Sequence, residues 1–231
     1  MKIIYVGHSG FILEEDSYAL MIDCCGLMND DPLVQRLAKK RLYILASHAH
    51  GDHFDPVIMT YNASPCIWVL SKDIRKKISV SKYENLNFIK KGETYSDEFI
   101  KVKAYGSTDE GVSFYIGASC RKIFHAGDLN NWHWNEEETP EDAEKNEKFY
   151  LDELGRIAGE VPELDAAFFP VDPRLGKDYA RGAEQFLEKI KVGLFVPMHF
   201  WDNYEAARKF KKAVTGSRYA EINKKGDEFI L

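Results

Sequence analysis

The segment Ser47-His48-Ala49-His50-Gly51-Asp52-His53 gathers three imidazoles and a carboxylate within six positions, directly after the apolar run Leu42–Ala46. A strand ending at Ala46 would present these side chains on a loop at the rim of a sheet. Imidazole nitrogens and carboxylate oxygens are the ligand set of zinc, and they also serve iron and manganese. His48 and His50 lie two apart, and Asp52 and His53 are adjacent. Such pairs cannot converge from one helix face, where neighbours are three or four apart. So dense a set of donors therefore asks for a loop at a strand end, and it points to a metal rather than to a solvated turn.

Two further stretches run apolar and then deliver a donor: Lys122-Ile123-Phe124-His125-Ala126-Gly127-Asp128 and Leu194-Phe195-Val196-Pro197-Met198-His199. Either alone reads as the polar cap of a strand. With the first cluster they supply ligands from separate strand ends, which is how a cleft metal site is built. Were the strand to run on from His125 to Asp128, the two would face opposite sides, because their separation is odd.

Short strand-like runs recur at Lys2–Val6, Ala19–Asp23, Tyr43–Ser47, Cys66–Leu70, Phe99–Tyr105, Val112–Ile116, Lys122–His125, Ala166–Val171, Leu194–Pro197 and Glu221–Leu231. Several are continuously apolar, as suits strands buried on both faces. Helical patterns lie between them. One opens at Asp31-Pro32, with an N-cap and a first-turn proline, and reaches about Arg41; the others span Asp142–Ala158, Asp178–Lys189 and Asn203–Val214. Strands dominate the early half, and strand alternates with helix later. The pattern predicts an α+β fold of sheets covered by outer helices. At 231 residues, with no linker rich in Gly, Pro or Ser, one domain over 1–231 is expected.

Lys and Arg number 31 against 37 Asp and Glu, a formal charge of −6. This balance counts against a nucleic-acid scaffold or a membrane-surface binder, both of which want basic patches. The start of the chain does not read as a signal peptide, and no apolar run approaches the roughly 20 residues of a membrane helix. Cys24, Cys25, Cys66 and Cys120 contain no CxxC spacing and read as free thiols in a reducing cytoplasm.

The order His48-Ala49-His50-Gly51-Asp52-His53, then Gly127-Asp128, then His199 resembles the signature of the metallo-β-lactamase superfamily. The start Gly7-His8-Ser9-Gly10, followed by Ala19-Leu20-Met21-Ile22-Asp23, is similar to the branch containing ascorbate-6-phosphate lactonase. The resemblance implies a four-layer αββα sandwich with metals at one edge of its two sheets. It also implies that His48 and His50 hold a first metal, that Asp52, His53 and His199 hold a second, and that Asp128 bridges them. One departure matters. Ser107 falls where the superfamily usually places a further histidine of the first site, and a hydroxyl is a much poorer zinc ligand than imidazole. His8, His125, His133 and Asp109 are the residues that could fill the gap.

Beyond the ligands, His8 and His133 are candidates for lining the substrate cleft. The turn Asp172-Pro173-Arg174-Leu175-Gly176-Lys177 either is solvated or offers cations to an anionic substrate. The expected activity is that of a cytoplasmic metal-dependent hydrolase acting on a small-molecule ester, lactone or phosphorylated metabolite. One or two divalent ions are expected, zinc first, with manganese or iron as the other ions such donors take. Asp52 is expected to orient water and manage its proton. A nuclease or phosphodiesterase, and a metal-binding protein without turnover, are the competing readings.

Overall fold

The computed structural model describes residues 1–61 and 65–231. Six strands open the chain: β1 (Lys2–Gly7), β2 (Gly10–Glu14), β3 (Tyr18–Ile22), β4 (Arg41–Ala46), β5 (Cys66–Ser71) and β6 (Leu86–Ile89). A second set follows: β7 (Thr94–Ser96), β8 (Ile100–Gly106), β9 (Val112–Ala118), β10 (Arg121–His125), β11 (Glu163–Pro170), β12 (Lys191–Met198) and β13 (Arg218–Tyr219). The last strand, β14 (Glu228–Ile230), returns to pair with β1. The first sheet is ordered β14-β1-β2-β3-β4-β5-β6 and the second β13-β12-β11-β10-β9-β8-β7. In the first, β1 to β3 are antiparallel and β3 to β6 parallel. In the second, β7 to β10 are antiparallel and β10 to β13 parallel.

Burial on both faces explains the continuous apolar runs. On β4, Tyr43 and Leu45 join the interior between the sheets. Their neighbours Leu42, Ile44 and Ala46 join a second cluster with Val34 and Leu37 of α1 (Pro32–Leu37) and with Ile58 and Ile74 of short 3₁₀ turns. On β11, Phe168 lies 4.6 Å from Phe11 of β2 across the interior, whereas Phe169 lies 4.6 Å from Phe186 of α3 (Arg181–Lys189). The long helix α2 (Pro140–Glu160) adds Tyr150, Leu154 and Ile157 to that outer layer. Fully burying one such side chain is worth about 1.5–3 kcal/mol, so the alternation fixes the register of each strand. The result is the expected αββα sandwich.

Boundaries moved where local chemistry differs from the sequence pattern. The helix at Asp31 is capped as read, with Asp31 accepting from Leu33 N–H, but it stops at Leu37 because β4 begins at Arg41. The Asp178–Lys189 pattern narrows to α3, which starts at Arg181 because a separate 3₁₀ run over Pro173–Asp178 precedes it. The last helix, α4 (Tyr204–Phe210), is shorter than Asn203–Val214. Glu221–Leu231 is mostly not strand, because Asp227 draws in the backbone N–H groups of Asn223 and Lys224 and makes a turn before β14. Strands β2, β6, β7 and β13 had no counterpart in the sequence reading. Among the described residues, no helix is long and apolar enough to cross a membrane.

Candidate metal centre

The residues that follow β1, β3, β4, β10, β11 and β12 meet at one edge of the sandwich. After β4, Ser47 is clamped to Asp23, which follows β3: its N–H donates to Asp23 Oδ1 at 2.7 Å and its Oγ to Oδ2 at 2.6 Å. Ser47 Oγ also receives His48 Nδ1 at 3.0 Å, and Asp23 Oδ2 receives His53 Nδ1 at 2.8 Å. Both rings therefore turn Nε2 toward the centre. From the opposite sheet, Val112 N–H donates to Ser47 O. Gly111 permits that approach: its φ is +71°, and a Cβ there would lie 2.1 Å from Ser47 O and 2.4 Å from His48 Cβ.

β10 ends at His125, so Asp128 is delivered by a turn and not by strand alternation. Gly127 takes a φ of +53°, and its N–H donates to His125 Nδ1 at 3.2 Å. His125 in turn donates from Nε2 to Ser9 O at 2.9 Å. Both ring nitrogens are thus spent on backbone, and burial lowers the His125 pKa. Asp128 Oδ2 faces His48 Nε2 at 3.3 Å, while Oδ1 faces His53 Nε2 at 3.1 Å and His199 Nε2 at 3.4 Å. His199, after β12, donates from Nδ1 to Asp172 Oδ2 at 2.8 Å, and its backbone N–H donates to His8 O. His8, Asp23 and His199 all have positive φ, between 48° and 60°. Non-glycine residues held in this region cluster at functional sites.

Donor atoms lie within 4.8 Å of one another in four overlapping sets: His8, Asp52, His53 and His199; His48, His50 and Asp52; His48, His53 and Asp128; and His50, Asp109 and Asp128. His53 Nε2, Asp128 Oδ1 and both ring nitrogens of His8 are buried without a hydrogen-bond partner among the described residues. Buried polar atoms are ordinarily paired, and orphaned nitrogen and oxygen donors facing one another fit a divalent cation. The carboxylate–imidazole pairs Asp23–His53 and Asp172–His199 are the outer supports that metal-ligating histidines require.

The electrostatics agree. Burial would raise the Asp128 carboxyl, but the imidazoles of His48 and His53 hold it well below the usual carboxylate range. Burial opposes charge on His53, yet Asp128 and Asp23 push its pKa up to about 10. Asp52, with Oδ2 at 3.2 Å from His8 Nε2, is held below the usual range chiefly by that imidazole.

Of the residues singled out in the sequence, His8, His48, His50, Asp52, His53, Asp128 and His199 come together here. His133 does not. Its Nε2 donates to Asp178 O and its Nδ1 accepts from Asn135 N–H, because the loop turns away at Trp134, whose φ is +40°. Of the four candidates for the gap left at Ser107, His125 and His133 are committed to backbone, His8 lies with the His53 and His199 set, and Asp109 lies beside His50. Ser107 Oγ accepts from Asp109 N–H within its own loop. Asp23 and Asp172 were missed as supports. Each follows an apolar run as Asp128 does, which is the signal that could have found them. A cleft of about 420 Å³ opens over the centre, lined among others by Asp52, Asp109, Trp132, Trp134, Arg174 and His199.

The chain has the metallo-β-lactamase fold, and it is similar over nearly its whole length to metal-dependent hydrolases. No family model matches it. It is 25% identical over 247 aligned residues to a UPF0173 metal-dependent hydrolase of Desulforamulus reducens, covering 96% of each chain. A metallo hydrolase from Ignicoccus hospitalis shares the fold with a TM-score of 0.69, at 17% identity over 100% of this chain and 98% of that one. A metallo-β-lactamase fold protein from Bacillus subtilis does so at 0.63, with 13% identity over 99% and 98%.

Proposed function

We propose that this metal-dependent hydrolase cleaves a small ester, lactone or phosphorylated metabolite beside a pair of divalent cations, with zinc the ion its donors suit best. The observation that carries the reading is the Asp128 carboxylate, whose two oxygens face two different imidazole sets. His8, Asp52, His53 and His199 would hold one ion, and His48 and His50 the other, with Asp109 in place of the missing imidazole. Cations held there supply Lewis-acid activation of water and stabilise the oxyanion that develops.

The chain's own residues do the rest. Asp52 keeps its carboxylate ionised beside His8 and lines the cleft, so Oδ2 accepts the proton of an incoming water and can return it to the leaving oxygen. Asp23 and Asp172 hold the His53 and His199 rings against rotation. A cleft of about 420 Å³ suits a small molecule. Arg174 is the one Lys or Arg among the described residues lining it, which offers no track for a polynucleotide backbone.

The test is a panel of esters, lactones and a phosphodiester, offered to protein stripped of metal and then reloaded. The likeness to the lactonase branch is the reason lactones belong in it. Turnover of at least one member that returns with zinc, and is lost in His50→Ala/His53→Ala, is expected. Metal-loaded protein that turns over none would leave a metal-binding protein without catalysis.

A further inference from the structure

Arg174 follows β11 at the start of the 3₁₀ run and is held in an unusual way. The buried Asp172 carboxylate accepts its backbone N–H at 3.0 Å, its Nε at 2.9 and 3.1 Å, and its Nη2 at 2.5 Å. The oxygen that takes Nη2 is the same Oδ2 that takes His199 Nδ1. One edge of the guanidinium is thereby locked to a support of the metal centre. The other edge is uncommitted: Nη1 makes no hydrogen bond among the described residues, and the side chain is 48% exposed. The guanidinium carbon sits 5.1 Å from the Trp201 ring and 5.9 Å from the Trp134 ring.

Pairing with the buried Asp172 uses only the Nε–Nη2 edge of the guanidinium and leaves Nη1 unexplained. What remains is a fork with free donors, pre-organised by Asp172 and flanked by indoles, at the mouth of a cleft otherwise rich in carboxylates. A planar guanidinium so presented matches an oxyanion, and the indoles offer an apolar face to whatever carries it. We infer that Arg174 is the specificity residue of the cleft and takes a carboxylate or phosphate of the substrate that is separate from the bond being cut. This rests on the hydrolase reading above and narrows its substrate to an anionic molecule with an apolar or planar body.

Three of the chain's four tryptophans, Trp132, Trp134 and Trp201, border the cleft or Arg174, so their fluorescence reports binding without turnover. Metal-loaded wild type and Arg174→Gln, matched for metal content, are titrated with benzenesulfonate, an oxyanion that ligates metals poorly. Methyl phenyl sulfone supplies the same ring without the charge. The expected result is a Kd for the sulfonate at least about tenfold weaker in Arg174→Gln, part of the affinity kept in Arg174→Lys, and no change for the sulfone. Should Arg174→Gln lose metal through Asp172, wild type alone decides: the sulfonate must outbind the sulfone and weaken as salt rises. Phenylacetate and phenylphosphonate, compared by their drop between wild type and Arg174→Gln, tell a carboxylate substrate from a phosphate one, and a larger drop for either supports the anion site. Equal sulfonate affinity in wild type and Arg174→Gln, or a sulfone bound as tightly as the sulfonate, overturns the proposal. Protein that binds the sulfonate through Arg174 but hydrolyses nothing breaks the hydrolase reading and leaves this one standing.

Discussion

The two halves of the centre are built to different standards. Around His53 and His199 each ring is buried and pinned by a carboxylate that is itself fully buried, Asp23 in one case and Asp172 in the other. Around His50 the side chain is 44% exposed, and its acidic neighbours Asp109 and Glu110 stand 3.9 and 3.6 Å away on a solvent-facing loop. A pinned, desolvated donor set loses little entropy on binding a cation, whereas an exposed one must be ordered by it. The buried half should therefore hold its ion tightly, and the open half should exchange. Asp128, with one oxygen toward each half, joins a rigid site to a loose one.

The largest effect that could break this comparison is catalytic. Asp52 belongs to donor sets in both halves, and Asp52→Asn keeps its shape while removing the charge that accepts a proton. Hydrolysis per bound metal should fall by roughly 10²–10⁴, the range for losing a general acid–base group. Undiminished turnover at full metal content would reduce Asp52 to a structural ligand. Next comes Asp23→Asn, which frees His53 and Ser47 together. Metal affinity of the buried half should weaken by about 10–100-fold, the usual cost of losing an outer support, as read by competition with a chromophoric chelator. Asp109→Ala should do less, weakening only the exchangeable ion by about tenfold or under, because an exposed carboxylate is worth little once screened.

Much of this centre was legible in the sequence because its donors sit at the ends of strands buried on both faces. An apolar run such as Leu194–Met198 must stop at the sheet edge, and the donor His199 that follows must then stand on the rim. The same logic located His48 and Asp128. It failed for Asp23 and Asp172, since a lone carboxylate after a strand also reads as a polar cap. Only the arrival of His53 and His199 from other strands gives these two their purpose. His133 was misplaced for the opposite reason: proximity to Asp128 in sequence suggested the cleft, but a left-handed residue at Trp134 turns the loop and spends both ring nitrogens on backbone. In the fold, β2 was not legible because it adjoins a glycine-flanked turn directly after β1.

The smallest effect concerns protons. In metal-free protein the His53 pKa is raised to about 10 by its two carboxylate neighbours, so the ring keeps its proton through neutral pH. A cation can bind Nε2 only by displacing that proton. Metal uptake near neutral pH should thus release one proton from His53, and the apparent affinity of the buried half should rise by about tenfold per pH unit until pH approaches that value. Calorimetry in buffers of different ionisation enthalpy reads the proton count directly. No release at this site would mean that His53 is already neutral in the metal-free protein.

The inequality of the two halves is tested most directly by where zinc goes first. Crystals of metal-free protein soaked at graded zinc concentrations, with anomalous scattering collected at each step, locate every ion and its order of filling. The expected result is a first peak among His8, Asp52, His53 and His199, and a second, appearing only at higher zinc, beside His48, His50 and Asp109, with Asp128 between them. A first peak beside His48 and His50, or two that fill together, would contradict it.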